Sequence, residues 1–321
     1  MKKVEKKLHR LKGSQLLRDL CSETNFSLSH FVQPIFINEN MLDRDEITGL
    51  KNNFVMSIDK SLQQIEEDIN KGVRNFLLFI TPGKKNSTSF NLDFHQKAIS
   101  SVKNRFKDDI NLWADVCLCS LTDHGHCCLF DDDESINLEK TLKEISNIAL
   151  SYTEAGADII APSDMMDGRT LSIRKKLDES KFLMTPIISY STKFSSNFYG
   201  PFRDAASSAP SFGDRKKYQL DYRSQTEAIR ASIRCADEGA DMLMVKPGMT
   251  SIDLIDKIKE KTHLMVGAYQ VSGEYAGICL SEEKGLLNLN EALKETWHVM
   301  RRAGAQYIIT YGARLAKEIG F

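Results

Sequence analysis

The 321-residue sequence predicts a (β/α)8 TIM barrel behind an N-terminal arm, on three observations. One junction recurs four times: a polar helical run, a Gly, usually an Ala, then four to six apolar residues. It reads NKGVRNFLLFI (70–80), EAGADIIAPS (154–163), DEGADMLMVKP (237–247) and RAGAQYIITYG (302–312). A Gly that ends a helix in the left-handed conformation, followed by a short apolar run, marks a helix handing over to a buried parallel strand. Four further runs have strand character: FVQPIFI (31–37), LWADVCL (112–118), TPIISYS (185–191) and LMVGAYQ (264–270). Helical patterns lie between the strands, including 138–155, 167–179, 225–238 and 289–303.

In chain order, residues 1–28 form the arm and 29–321 the barrel. The arm begins MKKVEKKLHRLKGS, which is basic but has no apolar h-region behind it, so no secretory signal is expected. Glu5 and the shortage of Ser and Arg count against a transit peptide. A doubly wound open sheet is the alternative architecture, but no Gly-rich dinucleotide fingerprint follows any strand. No linker rich in Pro, Gly and Ser divides the chain. Residues 195–218, rich in Ser, Ala, Gly and Pro between a strand and a helix, are too long for an ordinary connection and read as an active-site lid. The acidic run DDDE (131–134) reads as solvated surface.

Charge narrows the partners. Lys and Arg number 43 against 44 Asp and Glu, a net charge of −1. This gives no electrostatic case for nucleic acid or an acidic membrane surface. Apolar stretches such as 76–80 and 242–245 fall far short of the ~18 residues that span a bilayer. The seven Cys are odd in number, and four lie within 117–128, which argues against a disulfide framework. A reducing cytoplasm or organelle matrix is the expected setting. Cys21, Cys235 and Cys279 stand alone and are expected in the core.

In a barrel of this kind, chemistry sits at the C-terminal ends of the strands. The third strand ends in Asp115, Cys117 and Cys119, the fourth in Ser163 and Asp164, and the fifth in Lys193. The sixth ends in Lys246, the seventh in Gln270 and Ser272, and the eighth in Tyr311. Two lysines at adjacent strand mouths raise the cost of charging each other, and apolar walls add desolvation. Such an amine is neutral and nucleophilic near pH 7, as Schiff-base chemistry requires. In the lid, Arg203 and Arg215 are candidates for bidentate bonds to a substrate carboxylate.

The segment DVCLCSLTDHGHCCLF (115–130) is the metal signal. Cys117 and Cys119, two apart on a strand, present both sulfurs to one face. Cys127, Cys128, His124 and His126 return nearby. Thiolates and imidazoles favour zinc, and three protein ligands with an open position make a catalytic site. More than four ligands are on offer, so a closed structural site is the alternative.

The strings DVCLC…DHGHC, APSDMMDGR, ISYSTKFSSNFYGPFRDA, GDRKKYQ, DMLMVKPGM, GAYQVSGEY and ITYGA together resemble the porphobilinogen synthase (5-aminolevulinate dehydratase) family. They occur in the family's order from about Ser27 to the C-terminus. The resemblance implies a barrel whose arm embraces a neighbouring subunit, usually within a homo-octamer. It implies condensation of two 5-aminolevulinate molecules to porphobilinogen with loss of two waters, a lyase step of tetrapyrrole (haem) biosynthesis. By motif position, Lys246 matches the lysine of the propionate-side substrate and Lys193 that of the acetate side. Cys117, Cys119 and Cys127 match the zinc ligands. Arg203 and Arg215 match one carboxylate clamp, Ser272 and Tyr311 the other. Asp115 is the candidate proton shuttle, with Ser163 as polar support.

Two positions depart from the pattern. Cys128 stands where the family commonly has a small residue. Ala231 stands where many relatives have a Glu that binds an activating Mg²⁺, so little response to Mg²⁺ is expected. A class I aldolase-like barrel would need no cysteine-bound metal, and a zinc-stabilised scaffold would not need both lysines.

Overall fold

Eight parallel strands make up the wall of the barrel in the computed structural model, which describes residues 12, 14–24 and 26–321. They are β1 (Phe31–Asn38), β2 (Asn75–Thr81), β3 (Asn111–Val116), β4 (Ile159–Pro162), β5 (Ile188–Lys193), β6 (Met242–Lys246), β7 (Met265–Gln270) and β8 (Ile308–Thr310). Backbone pairing runs β4-β3-β2-β1-β8-β7-β6-β5. A parallel bridge between Ile160 and Ile187 joins the two ends and closes the ring. A short antiparallel pair, Arg44–Glu46 with Phe54–Met56, is added at the C-terminal end of β1.

The predicted junctions form for the stated reason. Gly72, Gly156, Gly239 and Gly304 have φ of +93°, +106°, +96° and +105°, and each precedes a strand. A side chain at these values would be strained. The helix starts have local causes as well. The Asn137 side chain accepts from Lys140 N at 2.9 Å and that of Asn288 from Glu291 N at 3.0 Å, which caps helices Leu138–Glu154 and Leu289–Arg302. The helix expected from 167 begins instead at Arg169, because Gly168 at φ +81° cannot continue a right-handed helix.

β2 and β5 are buried along their whole length, as expected for strands covered on both faces. Ile35, Phe76, Leu78 and Leu112 pack with Ile65, Ile99, Val102 and Ile148 of the surrounding helices. Elsewhere a Cβ placed on Gly267 would lie 2.0 Å from the Tyr307 ring, whose hydroxyl donates to Leu243 O at 2.6 Å.

One expectation is corrected. Cys21 is exposed, not in the core. It follows a short helix, Gln15–Leu20, whose Leu16 and Leu20 are themselves 82% and 80% exposed. Segment 195–218, expected as a lid, contains a 3-10 turn at Asn197–Tyr199 and a helix at Gly200–Ala205. Pro201 at its first turn has no N–H to waste there. Of the predicted arm 1–28, residues 1–11, 13 and 25 lie outside the described residues.

Candidate active site

The C-terminal ends of β5 and β6 bring Lys193 and Lys246 opposite each other in register. Both are buried, at 5% and 3% exposure. Lys193 Nζ donates to Ser163 O at 2.5 Å, beyond the end of β4. Lys246 Nζ lies 4.1 Å from the Tyr269 ring centre, 5.0 Å from Phe202, 5.1 Å from Tyr190 and 5.4 Å from Tyr199. Ring faces favour a cation, but they do not replace water. Burial, and then the neighbouring charge of Lys193, lower the affinity of the Lys246 amine for its proton.

Asp115, at the end of β3, is the nearby carboxyl. Burial pushes it up to about 6, against the pull of the two lysine charges. One of its oxygens has no hydrogen-bond partner among the described residues. Such a carboxyl can take up and return a proton close to neutral pH.

Just past β3, the Sγ atoms of Cys117, Cys119 and Cys127 lie within 4.8 Å of one another, all buried. Cys117 and Cys119 Sγ are 3.2 Å apart. Tetrahedral zinc with Zn–S bonds of about 2.3 Å sets its sulfurs about 3.8 Å apart, so the three thiols fit after a small opening. Hydrogen bonds from Cys117 and Cys119 favour the thiolate at Cys127. Cys128 packs in a different part of the core. His126 has both ring nitrogens engaged, with Tyr218 Oη at 2.9 Å and Phe212 O at 2.9 Å. His124 Nδ1 accepts from His126 N at 3.1 Å. Thus the structure brings three of the six candidate ligands together.

Ala231, where an activating Mg²⁺ would need a carboxylate, is buried on helix Gln225–Asp237. Arg234 on the same helix pairs with Asp167 and Glu238. Among the described residues no second group of three ligating side chains is close enough to hold a metal. The Ala231 side chain itself offers no oxygen to that Mg²⁺.

Segment 195–218 lies against the barrel mouth. Tyr199 Oη donates to Phe194 O at 2.8 Å and Lys246 O at 3.3 Å. Arg215, 4% exposed, donates to Gly125 O at 2.8 Å and to Ser208 O. Arg203 and Arg215 line one cavity of about 650 Å³, together with Ser195, Ser196 and Pro247. The Nε atoms of both arginines are buried without a partner among the described residues. Burial and the Arg215 charge lower the proton affinity of Arg203, which favours an anion between them.

Ser272 and Tyr311 stand past β7 and β8. Ser272 Oγ accepts from Phe202 N at 3.1 Å and donates to Phe198 O at 3.3 Å, both in segment 195–218. Tyr311 Oη is 3.2 Å from Tyr269 Oη. Glu274, two residues beyond Ser272, accepts from Met249, Thr250 and Val271 N at 2.9, 3.1 and 2.9 Å. It thereby pins the turn that follows Lys246.

Sequence reasoning passed over the aromatic ring set around Lys246 and the role of Glu274. Tyr190 stands three residues before Lys193, a spacing that says little until the strand geometry is known.

The sequence profile of the family described as delta-aminolevulinic acid dehydratase matches residues 5–319. A Helicobacter pylori (strain J99) protein of that name is 44% identical over 314 residues, covering 96% of this chain and 97% of that one. The Bacillus subtilis (strain 168) protein of the same name is 39% identical over 314 residues, covering 96% of each. The crystal structure of the Toxoplasma gondii ME49 delta-aminolevulinic acid dehydratase (porphobilinogen synthase), solved with its reaction product porphobilinogen, superposes with a TM-score of 0.95. It is 35% identical and covers 98% of this chain and 92% of that one. By its profile, its relatives and its TIM-barrel fold, the chain belongs to the delta-aminolevulinic acid dehydratase family.

Proposed function

We propose that this barrel mouth joins two 5-aminolevulinate molecules through two lysine imines beside a thiolate-bound zinc ion. The overall reaction follows from family membership: porphobilinogen forms with loss of two waters, a hydro-lyase reaction. The single observation that supports the imine route is the register pairing of two buried lysines, one of them with a weakened hold on its proton.

Two identical keto-amines must be held differently if they are to be joined asymmetrically. Lys246 attacks the ketone of one molecule; the C–N bond forms, the carbonyl oxygen leaves as water, and the imine acidifies the neighbouring C–H. Lys193 activates the ketone of the other molecule in the same way. Arg203 and Arg215 hold one carboxylate, and Ser272 and Tyr311 the other. Asp115 moves protons between the two substrates. Segment 195–218 excludes water, which would hydrolyse the imines. Cys117, Cys119 and Cys127 would hold the zinc, which supplies Lewis-acid polarisation of a substrate oxygen when bound.

Assembly as a homo-octamer through the 1–28 arm, in a cytoplasmic or organelle-matrix setting, belongs to the same proposal. It is supported by the family resemblance and by the seven unpaired cysteines. No helix among the described residues is long and apolar enough to cross a membrane.

The test is colorimetric detection of porphobilinogen from 5-aminolevulinate, with and without a zinc chelator. Product that disappears on chelation and returns with zinc is expected. Product unaffected by stripping the metal would make the cysteine cluster non-catalytic. No product from folded, zinc-loaded protein would favour a zinc-stabilised scaffold.

A further inference from the structure

Between Ser189 and Lys193 the barrel wall departs from regular pairing. Ser189 pairs with Leu243 but Thr192 with Val245, so β5 spends one residue more than β6 over the same span. An extra residue is a β-bulge, and it reverses the face that every later side chain takes. Side-chain contacts agree with this. Tyr190 and Lys193 share a face, with Lys193 Nζ 5.8 Å from the Tyr190 ring. Ser191 and Thr192, although consecutive, both reach the outer helix Gln225–Asp237, where Ser232 Oγ is 2.9 Å and 2.8 Å from their hydroxyls. In an unbulged strand Thr192 would stand opposite Lys246, and Lys193 would be out of register. The bulge therefore sets the two amines at one level on one face.

A bulge leaves backbone groups outside the ladder, and a buried carbonyl needs a donor. Arg169, fully buried at the start of helix Arg169–Glu179, supplies it. Its Nη2 donates to Tyr190 O at 3.0 Å and to Ser189 Oγ at 3.1 Å, and its Nη1 to Met166 O at 3.0 Å. Its Nε lies 3.8 Å from Asp164 Oδ1, which also accepts from Met166 N at 2.6 Å. Asp164 directly follows Ser163, whose carbonyl receives the Lys193 ammonium. One guanidinium thus ties the bulge of β5 to the loop against which Lys193 rests. A buried ion pair is a poor source of stability compared with apolar side chains of the same volume. Its better-attested use is to specify one arrangement.

We propose that Arg169 is a positioning residue: it holds the β5 bulge and thereby aims Lys193, while Lys246 on the regular strand β6 does not depend on it. This role rests on the imine reading given above.

The test uses full-length enzyme incubated with 5-aminolevulinate and borohydride, with the reduced adduct at each lysine counted by peptide mass spectrometry. R169K keeps the charge but loses the fork, and R169M/D164N removes both charges so that neither is buried alone. In folded protein, judged by circular dichroism, both variants are expected to lose Lys193 adduct about 10- to 100-fold. The Lys246 adduct should stay near the parent level. Adducts lost equally at both lysines, or retained at both, would overturn the role and leave Arg169 as core filling. A parent enzyme that makes product yet traps no adduct at either lysine would overturn the imine reading itself, and this role with it.

Discussion

Lys193 and Lys246 are register partners across β5 and β6, and the ring of Tyr190 lies within 6 Å of both ammonium groups, at 5.8 Å and 5.1 Å. Two cations this close, with an aromatic face in place of water, favour states in which at least one amine is neutral. The pair also gives the site its asymmetry. Lys193 rests on a backbone carbonyl, whereas Lys246 stands among four rings.

Replacement of either lysine separates their roles. K246A and K193A should each lose about 1,000-fold or more in kcat, equivalent to about 4 kcal/mol of barrier. Borohydride trapping on K193A should still label Lys246. The same label absent from K193A would contradict an independent imine at Lys246.

The Lys246 amine should titrate below the ordinary lysine value of 10.5. Its trapping therefore rises with pH through a midpoint below that value. Asp115 is among the charges that raise the Lys246 pKa, so D115N should move the midpoint to lower pH. A midpoint that moves upward would refute this electrostatic arrangement. The sign for stability follows. Between the folded pKa of Lys246 and 10.5 the unfolded chain binds more protons, so this group adds stability as pH rises across that window. Asp164 and Glu274, both raised to about 7 by burial, act in the opposite sense, and their contribution is lost as pH rises through that value.

Metal content should follow the three thiols. C117S, C119S and C127S are each expected to lower bound zinc, measured by atomic absorption, together with activity. C128S should leave zinc content unchanged, since Cys128 packs apart from the other three. Added Mg²⁺ should change the rate little; a strong, saturable activation would contradict the reading of Ala231.

The two arginines should show in substrate affinity before stability. R203A and R215A are expected to raise KM for 5-aminolevulinate by about 10-fold or more, as the loss of a charge-assisted bond worth about 1.5–3 kcal/mol implies. An unchanged KM would place the carboxylate elsewhere.

Gly267 tests the packing of the barrel. A Cβ there would sit 2.0 Å from the Tyr307 ring, so G267A should destabilise by about 1–3 kcal/mol in urea unfolding. The double variant G267A/Y307L should recover part of the loss.

Much of this arrangement was legible from local chemistry. The Gly at each junction takes a left-handed φ whatever surrounds it, so the strands that follow could be placed from residue type alone. Cys117 and Cys119 could be paired because strand periodicity is fixed. Other features depend on distant chain. That His126 is taken up by Tyr218 and Phe212, 92 and 86 residues away, has no local sign. Nor does the exposure of Cys21, which looks like any other small apolar side chain until the helix before it is found with Leu16 and Leu20 turned to solvent. The bulge between Ser189 and Thr192 is invisible too, because it is a relation between two strands and belongs to neither sequence segment.

Among the described residues the ring of strands is closed by a single bridge, Ile160 with Ile187, low on the wall beside β5. Above it, among the described residues, β4 and β5 share no further ladder; side chains span the gap, with Arg169 on one side and the ammonium of Lys193 on Ser163 O. An ammonium has three N–H groups and a protonated imine has one. In the proposed imine route the seam of the barrel is thus fastened by a group that the reaction alters, and its tightness should vary through each turnover while the opposite wall, laced by seven consecutive β1–β2 pairs, stays fixed.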